Sequence, residues 1–226
     1  MYEFLRALRL IITANPLSTS QAASKNVSID MGGKRVVCGG TKGFAVIPVE
    51  LSDTATWDML LELDKKDDEG TCLGVATTTD PGSDLQNYEG STSCHVLRCY
   101  NGKVYTAGSS SSPSDARKIH QGDRVRFTLD RGSNSLSAVV LRGNGTEDSL
   151  GTLSSSLPAR PKKLHPLVIF YASTRGQCAV QINPTAAALA GIQAAKRYPL
   201  VIGAGNDEFN GCYEVSPMFL LAIFNL

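Results

Sequence analysis

Apolar positions recur at every second residue through most of this chain, in short bursts cut off by clusters of Gly, Ser, Asn, Asp and Pro. In "WDMLLELD", Trp57, Met59, Leu61 and Leu63 alternate with Asp58, Leu60, Glu62 and Asp64, which gives an extended strand one strongly apolar face. "DRVRFTLD" and "SLSAVVLRG" read as a hairpin across "RGSN", with Val125, Phe127 and Leu129 facing Leu136, Ala138 and Val140 while Arg124, Arg126 and Thr128 point to water. "KRVVCGG", "GFAVIPVEL", "TCLGVATT", "HVLRCY", "KVYTAG", "HPLVIFYAS" and "GQCAVQIN" bring the count to roughly ten short strands with no helix between them. That series predicts an all-β fold, an antiparallel β-sandwich. Strands do not alternate with helices, which argues against a nucleotide-binding α/β fold.

The two ends have another texture. "MYEFLRALRLIITA" places Leu5, Leu8 and Ile12 on one stripe, the pattern of an amphipathic helix that stops at Asn15–Pro16. Glu3, Arg6 and Arg9 break the apolar run, so a signal peptide is not expected. A polar linker of small residues follows. Beyond Pro184, the alanine-rich "TAAALAGIQAAKRY" predicts a second helix, and the residues after Pro199 a partial β extension. The expected organisation is a helix and linker over 1–26, the sandwich over 27–184, and a helix with a β extension over 185–226. The terminal "MFLLAIFNL" is about half the length a bilayer-spanning helix needs, so no membrane span is expected.

Charge narrows the partner class. The 226 residues carry 22 Lys and Arg against 21 Asp and Glu, a formal +1, and this leaves no basic surface to neutralise a phosphate backbone. Nucleic acid is not an expected partner. The even number of cysteines, six, allows a disulfide framework, but a chain this long needs no such staples and most of them sit inside apolar runs as small hydrophobes, so a reducing compartment, cytoplasmic or nuclear, is the expectation.

A hairpin signal carries the candidate site. "RCYNGKVYTAG" folds back at Asn101–Gly102, and a two-residue loop there pairs Tyr100 with Lys103, Cys99 with Val104, Arg98 with Tyr105, and Leu97 with Thr106. One face then carries Leu97, Cys99 and Val104 toward a core, and the other presents Val96, Arg98, Tyr100, Lys103 and Tyr105. Arginine beside tyrosine rings suits a protein-binding surface, because both bury area at modest entropic cost and end in hydrogen-bonding tips. The competing account is that these residues cover the sheet or pack beneath a neighbouring loop. Two loops add candidates: Tyr88, a lone aromatic in the polar "TTTDPGSDLQNYEGSTS", and Arg117 in "SSSSPSDARKIH". Tyr88, Arg98, Tyr100, Tyr105 and Arg117 are thus the expected protein-binding residues.

Bond-making chemistry finds little support. Cys94 and His95 are sequence neighbours on a strand and diverge to opposite faces, so they do not form a nucleophile–base pair. No CxxC or HxxxH spacing offers zinc four convergent ligands. "GGTKG" lacks the spacing of a phosphate loop, and "GAGNDEFNG" lacks a third glycine and a following helix. His120 is expected in solvent and His165 at the core edge. No catalytic residue, cofactor or metal is expected. Two rival readings remain: a carbohydrate-binding, lectin-like sandwich using Asp80, Asp84 and Tyr88, and a cysteine hydrolase.

Taken in order, "WDMLLELD…CLGVATT", "LRCYNGKVYTAG", "GDRVRFTLDRGSNSLSAVV", "LHPLVIFYAS" and "VQIN" resemble a SPRY domain over about Val27 to Pro184. Two departures are visible: His165 stands where the family has an aromatic before proline, and the "NG" after the second hairpin is blurred into "LRGNGTEDSLG". The resemblance implies a bent, concanavalin-like β-sandwich that binds a protein or short peptide through loops at one edge. It further implies a non-enzymatic module, as found in ubiquitin ligases, their adaptors and scaffold proteins. Within "GDRVRFTLDRGSN", Gly122 supplies a turn that Asp123 closes by a side-chain bond to the backbone; Asp130 opens the next turn, where Gly132 tolerates a positive φ.

Overall fold

The structure, a computed structural model, describes residues 23, 26–30, 34–40, 42–47, 50–64, 70–78, 84–171 and 178–183, all within one compact unit spanning 1–183. The expected N-terminal helix and the expected helix and β extension over 185–226 lie outside the described residues.

The strands are β1 (Val27–Asp30), β2 (Arg35–Cys38), β3 (Lys42–Val46), β4 (Thr54–Leu63), β5 (Thr71–Ala76), β6 (Cys94–Arg98), β7 (Val104–Thr106), β8 (Ser109–Ser110), β9 (Arg124–Asp130), β10 (Ser135–Leu141), β11 (Glu147–Ser154), β12 (His165–Tyr171) and β13 (Cys178–Ile182). They form a seven-stranded sheet, β1-β2-β13-β4-β9-β10-β11, and a six-stranded sheet, β3-β12-β5-β6-β7-β8. Every ladder is antiparallel. The all-β sandwich expected from the alternation is the observed fold.

Alternation explains the first sheet. Leu129, Phe127 and Val125 of β9 stand opposite Leu136, Ala138 and Val140 of β10, as the pattern requires. On the other side, Trp57 pairs with Phe127 and Met59 with Val125, and the Trp57 and Phe127 rings stack at 5.3 Å. These residues fill the layer between the sheets together with Leu73, Val75, Leu97, Val168 and Phe170 from the second sheet. Each such side chain contributes about 1.5–3 kcal/mol by leaving water. The opposite face of the first sheet is polar: Asp58 receives Arg124 at 3.0 Å and Arg126 at 2.9 Å, and Glu62 receives Arg35 at 2.8 Å and Gln181 at 2.9 Å.

The second sheet differs because both its faces are covered. β5 is buried at every position, so it reads as a continuous apolar run rather than an alternating one. Its outer face holds a separate apolar cluster that includes Phe44, Cys72, Val96, Tyr105 and Ile169, with Leu85 and Tyr88 packed into it. Gly74 sits where β5 runs against β6, and an added Cβ would fall inside contact distance of the His95 carbonyl oxygen. Gly74→Ala is therefore expected to destabilise the fold by about 2 kcal/mol as overpacking, read as a lower denaturant midpoint with an unchanged slope.

Two local expectations are corrected, and one strand is added. The β6–β7 ladder pairs Leu97 with Val104 and Val96 with Tyr105, two residues away from the register a two-residue loop dictates. The Arg98 N–H bonds the Lys103 carbonyl and the Gly102 N–H the Arg98 carbonyl, so the loop contains Cys99 to Gly102. A shift of two leaves each side chain on its predicted face, because the pleat has period two. In the β9–β10 turn, Asp130 does receive the Gly132 N–H at 2.8 Å, but the positive φ, 51°, falls on Asn134 rather than Gly132. Finally, β11 was not evident in the sequence; it is an edge strand of Ser, Thr, Gly and acidic residues whose pairing with β10 is interrupted by two irregularities.

Candidate functional site

The five expected binding residues divide into an exposed group and a buried one. At the hairpin tip, Tyr100 is 48% exposed and is the one large hydrophobic side chain that is exposed among the described residues. The segment 114–119 lies against this tip: the Ser114 N–H bonds the Asn101 carbonyl at 3.0 Å and the Ile119 N–H bonds the Cys99 carbonyl at 3.0 Å. That approach requires a glycine. Gly102 has φ 65°, and an added Cβ would run into the Ser114 carbonyl and lie 2.8 Å from the Arg117 Cβ. Arg117 belongs to a 3-10 turn, Asp115–Arg117, and is half-buried beside the tip. Lys118 binds Asp115 at 2.7 Å, and its ammonium is held above the usual lysine value first by that hydrogen bond. Tyr100, Lys103, Arg117 and the Asp115-paired Lys118 thus make a rim on a backbone that the two crossing bonds hold in place, with the Lys103 ammonium over the Tyr105 ring at 5.2 Å.

Tyr88, Arg98 and Tyr105 are brought together too, but beneath the surface, so their expected exposure is corrected. Tyr88 is buried, with its ring edge-on to Tyr105 at 4.9 Å and to Tyr171 at 5.9 Å. Burial, above all, pushes its hydroxyl well up from the usual tyrosine range. The Tyr105 hydroxyl donates to Glu89 at 3.2 Å and lies 3.5 Å from the Arg98 guanidinium, which itself stands 3.8 Å from Glu89. The part of the polar loop from residue 84 onward is therefore a lid: its 3-10 turn, Asp84–Asn87, places Leu85 and the following Tyr88 on one side, and both drop onto the outer face of the second sheet. The spacing of three between these two apolar residues was the readable signal. Glu89, which ties Tyr105 and Arg98 together, had no such signal, because its partners lie on β6 and β7.

The thiols and imidazoles are placed by the same logic. Cys94 faces the outer cluster, whereas His95 faces inward and its Nδ1 lies 3.1 Å from the Ser154 hydroxyl of β11. Burial raises the Cys94 thiol to about 11 and the Cys72 thiol to about 12, away from the thiolate a nucleophile needs. It lowers His95 to about 4. His120 is exposed and His165 buried, as expected. Among the described residues, no group of three His, Cys, Asp or Glu side chains is arranged to hold a metal ion, and no helix is long and apolar enough to cross a membrane. Of the carbohydrate-reading residues, Asp80 lies outside the described residues, and Tyr88 is buried rather than offered as a stacking platform.

Two antiparallel sheets with a lid over the second define an all-β sandwich of SPRY-like fold. The chain is similar to the SPRY domain of human HERC1, at 20% identity and a TM-score of 0.57, over 73% of this chain and 96% of that one. It is also similar to the TRIM65 PSpry domain, at 12% identity and a TM-score of 0.50, over 73% and 92%. Stonustoxin matches at 10% identity and a TM-score of 0.52, over 72% of this chain and 26% of that one. No protein-family model matches the chain, and no curated protein matches it. What the four chains share is the fold.

Proposed function

We propose that the chain is a protein- or peptide-binding module whose contact surface is the rim of Tyr100, Lys103, Arg117 and Lys118. The observation that carries this reading is Tyr100, a large aromatic left exposed at a tip whose backbone is pinned on two sides. A ring held this way loses little entropy on binding, and the surrounding cations suit a partner that presents an apolar anchor flanked by acidic groups. In this reading Tyr88, Arg98 and Tyr105 support the rim from below rather than touch the partner. Binding by surface complementarity needs no cofactor and no bond-making step. The five described cysteines pack as apolar groups in the two clusters, which supports a reducing, intracellular setting. A place in a ubiquitin-ligase-related or scaffold assembly follows from the resemblance of the ordered motifs alone.

Tyr100→Ala and Arg117→Ala are each expected to weaken a recovered partner's affinity about tenfold while leaving the unfolding midpoint unchanged. Arg126→Gln, on the polar face of the other sheet, is expected to bind like the wild type. Affinity capture with the immobilised chain, followed by titration of the recovered partner, measures this. Equal affinities for the wild type and the two rim variants overturn the assignment.

A further inference from the structure

A second charged feature lies away from this rim. The segment 50–53, between β3 and β4, the β9–β10 turn, and the segment 160–164 before β12 enclose a cleft of about 520 Å³. Backbone bonds hold its walls: the Leu51 N–H to the Leu164 carbonyl at 2.8 Å, and the Arg131 N–H to the Asp53 carbonyl at 2.8 Å. Leu164 is buried in the core beneath it, and the half-buried Leu51 gives the cleft an apolar side.

The charges lining the cleft do not balance. Glu50 is paired with Lys163 at 2.7 Å, and Asp53 with Arg160. The hydrogen bond from Lys163 holds the Glu50 carboxyl below its usual range, so both acids are already satisfied by cations. Neither Arg131 nor Lys162 makes an ion pair among the described residues, and Arg131 acts on Glu50 only through space. Arg131 is fixed, because its Nη2 donates to the Lys162 carbonyl at 2.8 Å, yet its Nη1 is buried and meets no acceptor among the described residues. A buried donor without an acceptor is costly in the free protein, and a charged one more so. The paired side chains at the cleft, Glu50 with Lys163 and Asp53 with Arg160, are exposed, and ion pairs of that kind are worth under about 1 kcal/mol. They move aside at little cost.

We infer that this cleft is a second recognition site, one that takes a carboxylate of an acidic peptide onto Arg131 and Lys162, with a neighbouring apolar side chain against Leu51. Four cations facing two carboxylates leave room for one or two further negative charges. The volume suits two or three side chains rather than an extended surface. This site stands apart from the Tyr100 rim, and either can fail without the other.

The test uses the full chain, isotopically labelled, titrated at low salt with N-acetyl-Glu-Leu-Glu-amide and, separately, with its Gln-Leu-Gln counterpart. The acidic peptide is expected to shift amides of 50–53, 131 and 160–164, and the Gln peptide to leave them in place. Arg131→Gln is expected to weaken the interaction at least tenfold and Lys162→Gln about threefold, the second variant being exposed and harmless to folding. Shifts at Tyr100 and Lys103 instead, or wild-type affinity in both variants, overturn the inference. So does tighter binding of N-acetyl-Gly-phosphoserine-Gly-amide, which would make the occupant a phosphopeptide.

Discussion

Asp123→Ala is expected to lower the unfolding free energy by roughly 3–5 kcal/mol, the range for stripping one partner from a buried ion pair. Asp123 is buried, and its two oxygens serve three donors: the His120 N–H at 2.9 Å, Arg142 Nη1 at 3.0 Å and the Gly143 N–H at 3.1 Å. Alanine leaves all three without that acceptor, one of them on a charged group in a shielded site. Arg142 also donates to Asp148 at 2.7 Å and to the Lys118 carbonyl at 2.6 Å, so its displacement reaches the 114–119 segment that braces Tyr100. Asp123→Asn keeps an acceptor and loses the charge, and should cost about half as much. Urea unfolding followed by the fluorescence of the single tryptophan, Trp57, measures both. A loss below 1 kcal/mol for the alanine variant would show that the carboxylate does not hold this corner together. Because the corner supports the rim, Asp123→Asn should also weaken partner binding without touching the partner.

The second large effect is a loss of stability in mild acid. His95 is buried between the sheets with its Nδ1 against Ser154, and burial lowers its pKa to about 4 from the ordinary 6.5. The unfolded chain therefore takes up a proton near pH 6.5, whereas the folded chain resists until about pH 4. Between those values the unfolded state binds more protons, so stability falls as pH falls, and below about 4 this contribution is fully lost. The difference corresponds to roughly 3 kcal/mol. Ordinary carboxylates titrate mainly below this window, so the slope between pH 6.5 and 5 falls to imidazoles, His165 being buried too, and a non-titrating variant isolates the share of His95. His95→Asn, which can still reach Ser154 but does not titrate, should be less stable at pH 7 and much flatter over the same interval. Urea midpoints at pH 7, 5.5 and 4.5 check this, and parallel wild-type and variant curves would assign the slope to other groups.

Much of this architecture was legible along the chain. Trp57, Met59, Phe127, Leu129, Leu136 and Val140 announce their shared layer, because a strand turned toward a core must repeat every second residue. Asp123 and Asp130 announce their turns, because a short carboxylate beside a glycine closes onto nearby N–H groups whatever lies further off. The rim was half legible. Tyr100 and Arg117 belong to separate stretches, and their meeting depends on Gly102 admitting the Ser114 carbonyl, which neither stretch encodes alone.

Tyr88 and Tyr105 show where that reading stops. Either tyrosine, taken with its neighbours, suits an exposed recognition surface as well as a core. The outcome turned on whether the segment carrying Leu85 and Tyr88 lies down on the second sheet, and the cleft at Arg131 likewise needs three segments far apart in the chain. Strand identity, strand faces and turn chemistry are short-range consequences of pleat and sterics, and so the amino-acid order alone determined them. Which aromatic stays in water and which charges are left without a counterpart depend on long-range contacts. Those the packed chain alone decided, because covering a sheet face requires a distant segment to give up its own hydration and freedom.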